Sequence, residues 1–157
     1  MNIRRLAILS AAAFSVAATS VAYASVNYHA PFRTPLFAVL VGGNEVSNAG
    51  EANAGHPQGR GSATVILPDS STLCFAILVT GIDTPVAAHL HNALAGQNGP
   101  IAVTLTPPEN GDAGAASGCI SDLNPAVIKA IRRGPGAFYV NVHTDEFPDG
   151  ALRGQLF

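Results

Sequence analysis

Pro85-Val86-Ala87-Ala88-His89-Leu90-His91-Asn92 is the stretch that decides how this chain folds. In an extended strand successive side chains point to opposite faces, which sets His89 and His91 on one side and Val86, Ala88 and Leu90 on the other. Near the C-terminus Phe138-Tyr139-Val140-Asn141-Val142-His143 alternates in the same sense. Its apolar face takes Phe138, Val140 and Val142, and its outer face takes Tyr139, Asn141 and His143. Two strands of this kind predict a sheet with one face on a core and the polar side chains, three histidines among them, on the other.

The flanking sequence continues the pattern. Leu36 to Val41 is a short β-branched and aromatic run that stops at Gly42-Gly43, and the glycine-rich stretch from Asn44 to Gly61 reads as a long loop. Glu45, Glu51 and His56 fall in that loop and could reach a site or face water; a glutamate is expected in water unless it is paired, and Glu45 is kept with Asn141 and Arg153 as a candidate second-sphere or anion-binding residue. Gly61 to Leu67, the turn Pro68-Asp69-Ser70-Ser71 and Thr72 to Thr80 form a β-hairpin. In its second strand Leu73, Phe75, Ile77 and Val79 share one face, Cys74, Ala76 and Leu78 share the other, and both faces are expected to be covered. After a loop from Asn92 to Pro100, Ile101 to Leu105 closes a second hairpin. Pro107 to Gly118 reads as a surface loop, with Cys119-Ile120 beginning a short pairing.

Asn124 to Gly134 is the single helical segment. Asn124 is a cap-type residue, Pro125 suits the first helical position, Lys129, Arg132 and Arg133 complement the C-terminal dipole, and Gly134 ends it. A last strand from Ala151 to Leu156 turns Leu152 and Leu156 inward and Arg153 and Gln155 outward. Seven or eight short strands and one helix predict an all-β fold, an antiparallel Greek-key β-sandwich with a short inserted helix.

At the other end, Arg4 and Arg5 precede an apolar run from Leu6 to Val21, and Ala22-Tyr23-Ala24 fits the small-x-small rule for signal cleavage. Residues 1–24 are therefore expected to be a signal peptide. The run is shorter than the roughly 20 residues a membrane span requires, so no transmembrane anchor is expected in the mature chain. Residues 25–35, with two prolines and His29, read as an N-terminal arm, and residues 36–157 as one domain. Export places the mature protein in the periplasm or outside the cell.

Without residues 1–24, six basic residues stand against ten acidic ones, a net charge of −4. Only Lys129 with Arg132 and Arg133 approaches a basic cluster, which argues against a nucleic-acid partner. In an oxidising compartment the only two cysteines, Cys74 and Cys119, are expected to form a disulfide, with thiolate metal ligation as the alternative. The bridge would close a loop of about 45 residues, for which chain entropy gives about 4 kcal/mol.

Ala88-His89-Leu90-His91 followed by Gly96-Gln97-Asn98-Gly99-Pro100, and Tyr139-Val140-Asn141-Val142-His143-Thr144 with Gly150-Ala151-Leu152-Arg153-Gly154-Gln155-Leu156, resemble the CHRD domain. That family is named for its occurrence in chordin and includes exported bacterial single-domain proteins. The similarity runs from Leu36 to Phe157 and includes Gly43-Asn44-Glu45-Val46. The chain departs from the pattern at Asn92, where glycine usually follows the second histidine, and at Ser47, where proline is common. The resemblance implies an immunoglobulin-like sandwich with a remote likeness to copper/zinc superoxide dismutase, whose copper site also starts from a His-x-His strand. It implies His89 and His91 as ligands, with His143 third by position, and likens Arg153 to that enzyme's anion-guiding arginine. The dismutase's bridging histidine and zinc set have no counterpart here, His56 being the only spare histidine in the domain.

On chemistry alone, three neutral imidazoles on one face suit copper or zinc, with Asn141, Asp145 and Glu146 as outer partners. The alternative is that His89 and His91 hydrogen-bond to Asn141, Thr144 or backbone and lock two strands together. Arg153 is expected to pair with Glu45, Asp145 or Glu146. No serine or cysteine nucleophile stands with a base, which argues against a hydrolase. The leading expectation is an exported, non-catalytic binding or structural module for a protein, a polysaccharide or another envelope component. A mononuclear copper or zinc protein comes second, and a superoxide-type redox enzyme last.

Overall fold

The computed structural model describes residues 34–157; the expected signal peptide, His29 and most of the expected N-terminal arm lie outside the described residues. The elements are β1 (Leu36–Val41), β2 (Arg60–Ile66), β3 (Leu73–Thr80), β4 (Pro85–Asn92), β5 (Ile101–Leu105), β6 (Gly114–Ile120), α1 (Pro125–Arg133), β7 (Phe138–Thr144) and β8 (Leu152–Gln155). The eight strands form one antiparallel sheet in the order β5-β4-β7-β8-β1-β2-β3-β6. The all-β reading with one inserted helix holds.

The sheet has a narrow seam. β1 and β8 are paired at Val41↔Arg153, and beyond it Phe37 and Phe157 exchange backbone hydrogen bonds of 3.0 and 2.9 Å. On either side lie a β5-β4-β7-β8 half and a β1-β2-β3-β6 half, whose apolar faces meet. One core cluster takes Leu40, Val65, Leu73 and Ile77 from one half and Leu90, Val103, Val140 and Leu152 from the other. Each such side chain contributes about 1.5–3 kcal/mol by leaving water. Sandwich-like packing thus arises within one continuous sheet.

Four local expectations change. Val86 is not on the apolar face: pairing skips from Pro85↔Thr144 to Ala87↔His143, so Val86 is the extra residue of a β-bulge and lies open. The bulge leaves His89 and His91 in phase on the outer face. Residues 114–118 are not a loop, because β6 pairs with β3 over seven residues. Its run of Gly, Ala and Ser has no apolar alternation, since an edge strand with little buried has none to show; the free edge of β3 supplies the partner. The outer face of β3 is not covered either, with Leu78 at 58% exposure. Finally, Arg153 does point outward by register but is buried there, and Glu45 with it, at 1% exposure each.

The Cys74–Cys119 disulfide is formed, joining directly opposed residues of β3 and β6. The helix is capped as expected, Asn124 Oδ1 accepting from the Ala126 N–H at 2.9 Å, with Ile128 and Ile131 buried beneath it. Arg132 does more than complement the dipole: its guanidinium donates to the carbonyls of Leu67 and Asp69, tying the helix to the β2–β3 turn.

Candidate metal centre

β4, β7 and β8 are neighbours, so their outer-face residues fall into cross-strand rows. One row is His89, Asn141, Arg153; the next is His91, Tyr139, Gln155; and His143 lies opposite Ala87. The three histidines therefore meet, each offering a ring nitrogen within 4.8 Å of the other two, and they are the one such group of three or more ligating residues found among the described residues.

Their hydrogen bonds orient the rings. His91 Nδ1 lies 2.9 Å from the Gly99 carbonyl, and His143 Nδ1 lies 2.9 Å from the Pro148 carbonyl. A carbonyl oxygen only accepts, so His91 Nδ1 carries the hydrogen and in the neutral ring its Nε2 presents a lone pair; His143 meets an acceptor oxygen at each nitrogen, Pro148 O at Nδ1 and Asn141 Oδ1 at Nε2, and its one hydrogen serves one of them. His91 Nε2 is buried without a hydrogen-bond partner. His143 Nε2 is 3.0 Å from His89 Nδ1 and 3.0 Å from Asn141 Oδ1. Nδ1–H held by a carbonyl, with Nε2 directed into a shared space, is how proteins orient a metal-ligating imidazole. Of the strand-locking bonds expected from the sequence, His91 makes one to backbone, and the one bond of His89 goes to His143 rather than to Asn141 or Thr144.

The rings are held neutral. His89 is pushed down to about 4 by burial, and further by the neighbouring His143 and His91. Burial also lowers His91 and His143, against the pull of the Gly99 carbonyl on one and the Pro148 carbonyl on the other. At neutral pH the cluster therefore offers lone pairs rather than charges.

A buried polar layer supports the rings from one side. Tyr139 lies parallel to His91, centroids 4.8 Å apart, and the Arg153 guanidinium carbon sits 3.5 Å from the Tyr139 centroid. Arg153 donates to Asn98 Oδ1 at 3.0 Å and to the carbonyls of Gln97 and Leu94, and pairs with Glu45 at 3.7 Å. Of the three acids expected as its partner, Glu45 is the one it takes. Asn98 in turn donates to the carbonyls of Val46 and Ser47, so the loops after β1 and after β4 are clasped together over the outer face. Burial raises the Glu45 carboxyl, opposed by the Val46 N–H and by Arg153.

Two glycines are required by close approach. A Cβ at Gly99 would collide with the Asn92 carbonyl and displace the oxygen that orients His91; a Cβ at Gly150 would collide with the Glu45 carboxylate. The departure at Asn92 is absorbed without loss, its side chain donating to the Ala137 carbonyl at 2.9 Å.

Other predicted residues stay apart. His56 is no ligand: its Nδ1 accepts from the Gly59 N–H at 2.9 Å and its ring packs edge-on to Phe147. Asp145 and Glu146 are exposed. The features the sequence did not disclose are the two backbone carbonyls and the Tyr139–Arg153 stack, although Gly99-Pro100 and Pro148-Asp149-Gly150, two turn signals just beyond ligand strands, mark where the carbonyls come from.

Among curated proteins no match to this chain was found. A family model, described as the CHRD domain, matches residues 36–156, the stretch that holds all eight strands, the three histidines and the buried Glu45–Arg153 pair. This chain belongs to the CHRD domain family.

Proposed function

We propose that this domain is a mononuclear metal-binding module that takes copper or zinc on His89, His91 and His143. The observation that carries the reading is the setting of His91: the Gly99 carbonyl takes its Nδ1–H, leaving a buried, partnerless Nε2 grouped with ring nitrogens of His89 and His143. Such an atom costs about 1–3 kcal/mol if nothing ever binds it. Neutral imidazole sets of this kind favour copper and zinc over magnesium or calcium, which prefer oxygen ligands. Three protein ligands leave a position for water or a small ligand.

The arrangement favours binding over superoxide chemistry. Arg153, the cation stacked on Tyr139 beside the site, is buried and committed to loop groups, so it is not free to guide an anion. The acid nearest in effect, Asp149, acts on His143 in the sense that attracts cations. Export through the expected signal peptide is part of the proposal and is supported by the disulfide and by the lack, among the described residues, of any helix long and apolar enough to cross a membrane.

Wild-type protein made without a histidine tag, loaded with copper or zinc and desalted, is expected to retain about one equivalent of metal, and the His91→Ala and His143→Ala variants to lose it. Retention below about a tenth of an equivalent by wild type overturns the reading. A second reading, a module that binds an envelope protein or polysaccharide, draws on a separate observation: Phe37, Val39, Leu78 and Phe157 lie open on the surface.

A further inference from the structure

Gly99 is held on both sides of its α-carbon. Its carbonyl meets His91 Nδ1 at 2.9 Å, and its N–H donates to the Tyr139 hydroxyl at 3.4 Å. Tyr139 also meets His91 directly: the two rings stack with 2° between their planes and 4.8 Å between their centroids. The contacts of His89 with His91 and with His143 are edge-on instead, at 88° and 69°. β7 lies between β4 and β8, and from the β8 side the Arg153 guanidinium carbon comes within 3.5 Å of the Tyr139 centroid. That guanidinium also donates to the Gln97 carbonyl and to Asn98 Oδ1, on the two residues before Gly99. Tyr139 is 2% exposed, packed too closely for its ring to tilt.

We infer that Tyr139 is a positioning residue of the metal site: its ring sets the plane of His91, and its hydroxyl sets the Gly99 peptide whose carbonyl fixes the direction of the imidazole within that plane. This rests on the metal-binding reading above and adds a side chain that acts through a ligand without being one. A stack alone would let the His91 ring slide in its plane, and a bond at Nδ1 alone would let it tilt about that bond. Together they aim Nε2, and both restraints pass through Tyr139. Partners that orient a metal-bound histidine are worth about 10- to 100-fold in metal affinity. The same stack makes Tyr139 a sensor of occupancy, because metal on His91 draws electron density from the ring lying against the phenol. The chain has three tyrosines and no tryptophan, and Tyr139 is the only tyrosine among the described residues.

Zinc titration of the whole mature protein, followed by near-ultraviolet circular dichroism, tests this with zinc alone as the probe, since the ion has no signal there. Wild type is expected to show a tyrosine-band change that saturates with zinc binding and is absent from both Tyr139 variants below. Chelator competition reads affinity. Tyr139→Leu, which gives up stack and hydroxyl, is expected to hold zinc about 10- to 100-fold more weakly, and Tyr139→Phe, which keeps the stack, to recover part of that loss. Gln155→Leu frees the Ala93 and Gly136 carbonyls, loosening the start of the same loop without touching His91 or Gly99, and is expected to stay within about threefold of wild type. A zinc-loaded wild type whose tyrosine band is unchanged overturns the inference while leaving metal binding intact, and it does so even where Tyr139→Leu fails to fold. A folded Tyr139→Leu that binds within about threefold of wild type, or a Gln155→Leu that loses as much as Tyr139→Leu, overturns it likewise. Failure of wild type to retain zinc, read separately by metal analysis, overturns both.

Discussion

The outer face of this sheet is treated in opposite ways on the two sides of the seam. On β4, β7 and β8 it carries His89, His91, Tyr139, Asn141, His143 and Arg153, and two loops cover most of it, leaving the histidines half-exposed. On β1, β2 and β3 it carries Phe37, Val39, Ile66 and Leu78, and these stand open. Polar residues are buried and apolar residues exposed, the reverse of the usual partition. The difference teaches that burial on the histidine side is set by specific bonds: Arg153 and Asn98 hold the loops by their backbone carbonyls, and the loops return the Gly99 carbonyl to His91. On the open side the loop bonds of Arg60 and Thr80 stay at the strand ends and draw no loop across the face. It is secured instead by a covalent link, Cys74–Cys119, between its last two strands.

The contrast breaks most readily at Arg153. Arg153→Met leaves Glu45 buried without its cation and frees both loops, and is expected to cost about 3–5 kcal/mol in urea unfolding. A loss no larger than that from a surface change would show that the loops are not held this way. Replacing both cysteines by serine tests the other side: opening a loop of 45 residues is expected to cost about 2–4 kcal/mol, with faster amide exchange confined first to β6. Exchange that spread first to β7 would sink the division into two separately secured faces.

Acid sharpens the comparison further. The three clustered histidines have folded-state values below the ordinary 6.5, so the unfolded chain binds more protons than the native one from about 6.5 downward. Stability is therefore fully present above that pH and is lost as pH falls toward about 4, the value of His89. Glu45, raised from 4.5, works the other way over the lower part of this window, since the native carboxyl takes up its proton first. Thermal unfolding of metal-free protein should show a midpoint that drops between pH 6.5 and 4, and a His89→Gln variant should show a shallower drop. An equal slope in the variant would remove His89 from the account. The smallest effect is expected at Leu78→Thr, within about 0.5 kcal/mol, because its side chain gives up no buried contact.

Much of the molecule could be read from residue order. Period-two alternation located β1, β3, β5 and β7 to within a residue, the Asn124-Pro125 start and Gly134 stop delimited the helix, and the only two cysteines were expected to pair and do. His89, His91 and His143 were placed on one outer face by the same alternation. β6 escaped because an edge strand of small residues buries too little to leave a pattern, and the Val86 bulge escaped because one inserted residue is invisible until the partner strand is known. Glu45 was expected in water, as a loop glutamate ordinarily is, and only its meeting with Arg153 across 108 positions of sequence makes burial tolerable.

The sequence by itself determined the strands, their faces, the helix and the identity of the three imidazoles, because each depends on side chains a few positions apart. Only the tertiary structure decided how those imidazoles are oriented. That depends on the carbonyls of Gly99 and Pro148, and every residue has a carbonyl, so no residue type announces which one will be aimed at a ring.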